Sequence, residues 1–308
     1  MSKQIKWGFL VVMGAAFLWS LDGLLRRELY VLPPITIVFL EHVIGFILLA
    51  PFLFRYRKEI QKIDRPTWLI IGVIALLSGV LGTLFYTTAL GKISYIPFSV
   101  VVLVQKLQPI FAIFVAAILL KERITKSFLA WAALALLAAY VVTFPDLTVS
   151  WQKNSGEIIA ALFAFIAAVA WGTSTAFSRY GLLRVSYPLM VGLRFAATIV
   201  FAIPFLWALG GTSAVMTMTG TQWQMLLAIA LTTGMVAMVI YYRGLSWVPA
   251  RVSTIAELFW PISALFLDYF YFDGRLSWTQ WVGVVMLLGA ILRIGFREIP
   301  ESSGSTDF

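Results

Sequence analysis

Ten apolar runs, each about as long as a bilayer is thick, constrain this chain more than any other feature. They fall at about 7–25, 34–54, 68–90, 97–120, 127–145, 157–177, 188–208, 222–242, 249–272 and 278–296, and charged or Pro- and Gly-containing breaks separate them. A hydrocarbon core of about 30 Å is crossed by about 20 residues of helix rising ~1.5 Å each. Inside lipid the backbone has to satisfy its own hydrogen bonds, so such runs fold as helices. Of the 308 residues 61% are hydrophobic and 12% charged, about half the charge of a soluble domain. The fold class expected is therefore an all-α integral membrane protein with ten transmembrane helices. The first run lacks a small-x-small cleavage site and reads as a span rather than a removable leader. Pro97, Pro188 and Pro249 stand at helix starts, where a missing N–H costs little.

Charge sets the orientation. With a cytoplasmic N-terminus, 16 Lys and Arg lie in inside segments and 5 in outside loops, namely Arg26, Arg27, Lys92, Lys153 and Arg275. Lys106 and Arg194 lie within spans. This bias places both termini in the cytoplasm; the membrane expected is the cell inner membrane. It also accounts for the net charge of +9 without any nucleic-acid partner. The absence of cysteine and the presence of one histidine exclude disulfides and argue against a zinc site, which needs four ligands. No metal, cofactor or ATP is expected, since no G-x-x-x-x-G-K-[ST] occurs. No Ser/His/Asp set or nucleophile elbow is visible, so an enzyme is not the expectation.

The chain repeats itself at an offset of 152–155 residues. Trp19 matches Trp171, Pro51 matches Pro204, Gly79 and Tyr86 match Gly234 and Tyr241, and Pro109 matches Pro261. "KERIT" at 121–125 matches "DGRLS" at 273–277. The division is 1–148, 149–298 and a disordered cytoplasmic tail, 299–308. Each half holds five spans, an odd number, so the second half enters the membrane upside down. The loop 55–65 carries five basic residues and its counterpart 209–221 none, as inversion requires. Inverted repeats of this kind place binding sites near the midplane between the halves.

These residues resemble the EamA domains of the drug/metabolite transporter superfamily. The early Trp in "FLWS" and "AVAWGTS" and the pattern "QPIFAIFVAAILLKERIT", echoed by "WPISALFLDYFYFDGRLS", carry the resemblance over about 7–296. It implies a ten-helix transporter, often an exporter of amino acids or other small metabolites. Lys106, Glu41–His42 and Gly274, which stands where the second "ER" motif would have Glu, depart from the family pattern.

Ionisable groups at bilayer depth are costly and usually face an interior cavity. Glu41 and Lys106 lie roughly 10 and 13 Å from the outer face, Arg194 and Glu257 roughly 9 and 12 Å from the inner face. Two ion pairs are expected, Glu41–Lys106 and Arg194–Glu257, with Lys106–Glu257 as the rival. Asp22 and Asp268 read as interfacial, and His42 as a satisfied histidine. Aromatic walls suit planar or amphipathic ligands, and Trp19, Tyr86, Trp171, Tyr241 and Trp260 are the aromatic substrate-binding candidates, with Phe111 alongside. Glu41, Lys106, Arg194 and Glu257 complete the binding set, with Glu257 also the proton-coupling candidate. Pro109 and Pro261, in mid-span, are the expected helix hinges, and Gly79, Gly82 and Gly234 permit close helix approach.

The leading function is a secondary transporter, an exporter of small amphipathic metabolites such as amino acids or organic cations. The alternative is import or exchange of an anionic metabolite held by Lys106 and Arg194. A membrane-embedded enzyme ranks below both. The partners expected are a small-molecule substrate and the bilayer, with the protein as monomer or homodimer.

Overall fold

A computed structural model describes residues 3–26, 29–92, 98–148, 155–271 and 276–297. Arg27, Pro97, Lys153, Gly274, Arg275 and the tail lie outside the described residues, as does the side chain of Asp268. The described residues form helices and no strands. Ten of these segments can cross a membrane: α1 (Gln4–Leu25), α2 (Pro34–Ile60), α3 (Arg65–Leu90), α4 (Val101–Leu119), α5 (Lys126–Thr143), α6 (Ile158–Leu182), α7 (Tyr187–Ala208), α8 (Gly220–Leu245), α9 (Ala250–Leu267) and α10 (Trp278–Arg297).

Local chemistry fixes their ends. The Asp64 carboxylate accepts the Thr67 N–H at 3.1 Å, and Thr125 Oγ1 accepts the Phe128 N–H at 3.0 Å. Thr219 and Gln222 satisfy each other in a capping box at the start of α8, a device that occupies two orphan N–H groups. Glu122 of "KERIT" accepts the N–H groups of Ala250 and Arg251 at 2.7 and 3.1 Å. A loop carboxylate from the first half thus caps α9 of the second, where the helix dipole favours negative charge.

Packing follows a pseudo-two-fold axis that exchanges each span with the one five places later. α2 packs on α7, α4 on α9 and α5 on α10, each span meeting its own counterpart. The largest of the other contacts come in exchanged pairs: α1 on α8 with α6 on α3, α6 on α4 with α1 on α9, and α7 on α3 with α2 on α8. Two five-helix repeats of opposite orientation therefore enclose one interior. Gly79 illustrates how tightly they meet: a Cβ there would lie 2.0 Å from Thr198 Oγ1 of α7.

Four spans lose α-helical regularity near mid-length. α4 breaks at Lys106–Leu107, between helical stretches ending at Gln105 and resuming at Gln108. α9 breaks at Glu257–Leu258, between Ala256 and Phe259. Each break precedes a proline, Pro109 or Pro261, whose missing N–H leaves a carbonyl one turn back without its helical donor. α3 widens to a π-helix over Ala75–Gly82, and α8 is interrupted between Leu231 and Met235. The glycines expected there for close packing also sit in irregular backbone, so they do both.

Candidate functional site

The four irregular stretches surround a cavity of about 190 Å³ between the repeats. Irregular backbone at bilayer depth is tolerated where it lines such a space. Ser78 O in the π-helical stretch accepts the Trp171 indole N–H at 3.1 Å and the Thr83 hydroxyl at 2.9 Å.

All nine residues singled out for substrate contact lie on the cavity wall: Trp19, Glu41, Tyr86, Lys106, Trp171, Arg194, Tyr241, Glu257 and Trp260. The aromatic ones obey the pseudo-symmetry. Trp19 of the first repeat packs on Tyr241 of the second, ring centroids 5.1 Å apart. Trp171 of the second packs on Tyr86 of the first, also at 5.1 Å. Two equivalent Trp–Tyr corners thus face one space. Phe111 instead makes an edge contact with Phe165, which is packing. Pro109 is on the wall, and Pro261 is not among the residues forming it.

The two ion pairs expected from the sequence do not form. Glu41 accepts Arg26 Nη2 at 2.8 Å. Glu257 accepts the Tyr241 hydroxyl and the Gln108 amide N–H, both at 2.8 Å, and Gln105 donates to Gln108 at 2.6 Å. Lys106 Nζ sits 4.3 Å from the centroid of the Trp260 ring. Arg194 donates to Ser78 Oγ at 2.8 Å. The reason is the pairing of spans. α4 meets α9 across the axis, bringing the two break residues Lys106 and Glu257 to the same region, where they act on each other electrostatically without an ion-pair contact. α2 and α7 present Glu41 and Arg194 to different neighbours.

Asp22 corrects the interfacial expectation. It binds Arg26 through Nε and accepts the Thr233 hydroxyl at 2.7 Å. Arg26, counted from sequence as an outside loop residue, is 5% exposed and lines the cavity. Its signal was the four-residue spacing from Asp22, which sets the two on one helix face. His42 is satisfied as expected, Nδ1 lying 2.8 Å from Val38 O, and its ring packs on Phe195 at 4.9 Å.

Chemically, this is a chamber with two aromatic corners, amide and hydroxyl groups, and charges of both signs. No cluster of metal-ligating side chains occurs among the described residues. The architecture is that of a multi-pass membrane protein built from inverted repeats around one chamber.

The chain belongs to the EamA-like transporter family, whose model matches residues 6–144 and 158–296. It is 33% identical over 296 residues to the riboflavin transporter ImpX of Fusobacterium nucleatum, covering 96% of this chain and 99% of that protein. It is 24% identical over 289 residues to the pseudopaline exporter CntI of Pseudomonas aeruginosa, covering 94% of this chain and 93% of that one. A crystal structure of an 18% identical protein superposes with a TM-score of 0.72 over 94% of this chain and 97% of the other, which is a likeness of fold.

Proposed function

We propose that this transporter carries a planar, acceptor-rich heteroaromatic solute of the riboflavin type across the cell inner membrane by alternating access. The observation that carries this reading is the pair of Trp–Tyr corners on one cavity. A flat ring system can stack on such corners, and offset or edge aromatic contacts add about 0.5–1.5 kcal/mol beyond area burial. Gln105, Gln108, Lys106 and Arg194 supply donors to ring carbonyls and nitrogens. The relationship to a protein named as a riboflavin transporter supports the same solute class.

In this reading both termini are cytoplasmic and the protein acts as a transporter rather than an enzyme. The breaks before Pro109 and Pro261 are the hinges on which α4 and α9 bend. Glu257 is the coupling group. Neutral donors hold it, so it can take a proton without breaking a contact ion pair. Solute binding that displaces Tyr241 or Gln108 would bring the proton into the transport cycle.

Thermal unfolding of the purified protein tests the solute class. A ligand at a hundred times its Kd adds about 2.7 kcal/mol of stability. Riboflavin is expected to raise the midpoint, and Trp171→Leu to reduce that shift. A midpoint raised by amino acids or organic cations but not riboflavin would return the protein to the export of amphipathic metabolites. A response to simple carboxylates would favour exchange of an anionic metabolite.

A further inference from the structure

The cavity holds three carboxylates, Asp22, Glu41 and Glu257, and three cations, Arg26, Lys106 and Arg194. Their sum calls for no further charge, but their geometry does. Asp22 and Glu41 are both bound to Arg26. Glu257 is bound to Tyr241 and Gln108 and faces Lys106. Among the described residues, that leaves Arg194 with no carboxylate contact. The guanidinium is 2% exposed, its Nη2 binds the Ser78 hydroxyl, and its Nε and Nη1 have no hydrogen-bond partner. The Phe195 and Tyr242 rings lie 5.8 and 6.0 Å from its central carbon.

The pseudo-symmetry sharpens the contrast. Glu41 of α2 and Arg194 of α7 are repeat equivalents, and Glu41 has its counter-charge in Arg26. No carboxylate among the described residues supplies the counter-charge at Arg194. Neutral groups can satisfy its N–H donors but leave its charge unbalanced, and an unbalanced buried charge is costly. A guanidinium offers paired donors in a fork that suits oxyanions as well as halides.

We propose that Arg194 and Ser78 form an anion site in the wall of the cavity, taking either a free inorganic anion or an anionic group borne by the transported solute. The site requires the cavity but not the flavin reading, since a halide can be tested with no solute present.

The experiment measures the thermal midpoint of wild type, Arg194→Gln and Arg194→Lys in chloride and in gluconate, and then with riboflavin and riboflavin 5′-phosphate. A crystal grown in bromide adds a readout that needs no variant. A midpoint raised by chloride in wild type, partly retained in Arg194→Lys and lost in Arg194→Gln, with anomalous bromide density at Nη1, assigns a free anion. No chloride response, but binding of the phosphate ester at least tenfold tighter than riboflavin in wild type and equal in Arg194→Gln, assigns the anion to the solute. If riboflavin fails to bind at all, the chloride and bromide results still decide the site. The proposal is overturned if wild type responds to neither chloride nor the phosphate group and shows no bromide density. It is equally overturned if Arg194→Gln responds to both as wild type does. Should Arg194→Gln not fold, Arg194→Lys and the bromide density carry the decision.

Discussion

Tyr86 and Tyr241 occupy equivalent places but do different work. The Tyr241 hydroxyl donates to the Glu257 carboxylate at 2.8 Å, whereas Tyr86 meets Trp171 through its ring and has no such bond to a carboxylate. A hydrogen bond to a charged group contributes about 1.5–3 kcal/mol. Tyr241→Phe is therefore expected to lower stability by about that amount in denaturant titration, and Tyr86→Phe by much less. Equal losses would mean that the Tyr241–Glu257 bond contributes little. Glu257→Gln is expected to leave a folded protein whose transport no longer depends on pH; an unchanged pH profile would remove Glu257 from coupling. At this scale the repeat made much of the cavity wall legible. Residues recurring at a fixed offset across an inverted repeat converge on the axis, and that brought Trp19, Trp171, Tyr86 and Tyr241 to one chamber. Their partners were not legible. Arg26 falls at the end of an apolar run, and composition alone treats such a residue as loop. The spacing from Asp22 sets the two on one helix face, but only the fold shows that face turned inward onto Glu41.

Among the elements, α4 and α9 carry the strongest expectation. Pro109→Ala restores an N–H that can reach the Gln105 carbonyl and close the break at Lys106. Slower counterflow with an unchanged Kd is the expected result, read from initial rates and from quenching of riboflavin fluorescence. A changed Kd with an unchanged rate would make the break a binding feature alone. Packing between α3 and α7 gives a second test. Gly79→Ala forces a Cβ against Thr198 and should cost about 1–3 kcal/mol, the range for overpacking. Gly14→Ala in α1, where nothing lies within 4 Å of a Cβ, should instead gain up to roughly 1 kcal/mol from helix propensity. Asp64 is the pH-sensitive cap. The Thr67 side chain, together with the Thr67 N–H, holds its carboxyl below the usual carboxylate range. Its capping contribution is therefore complete above the ordinary carboxylate value and is lost as pH falls through the lower, folded one. Span positions were readable because lipid demands long apolar helices. The breaks in α4 and α9 were readable because proline announces them. The π-helix of α3 was not, since "ALLSGVLG" scans as ordinary apolar helix and only packing against Trp171 and Thr198 gives its widened turn a reason.

For the whole molecule, the inverted repeat predicts which loops face which side. The chain lacks cysteine, so single cysteines report cleanly. In intact cells, a membrane-impermeant maleimide should label Ser213→Cys and not Lys62→Cys, both positions being exposed in the structure. Labelling of Lys62→Cys alone would reverse the orientation. Inversion was legible because five spans per repeat is an odd number and because basic residues accumulate on one side. The choice of solute was not, because aromatic corners and mixed charges describe a class of ligand rather than one molecule. The most direct measurement is counterflow of radiolabelled riboflavin into liposomes that contain this protein and are preloaded with unlabelled riboflavin. Transient accumulation of label above its equilibrium level, reduced about two- to tenfold by Trp171→Leu, is the result predicted. Entry no faster than into protein-free liposomes, while the same preparation accumulates an amino acid or an organic cation, would contradict it.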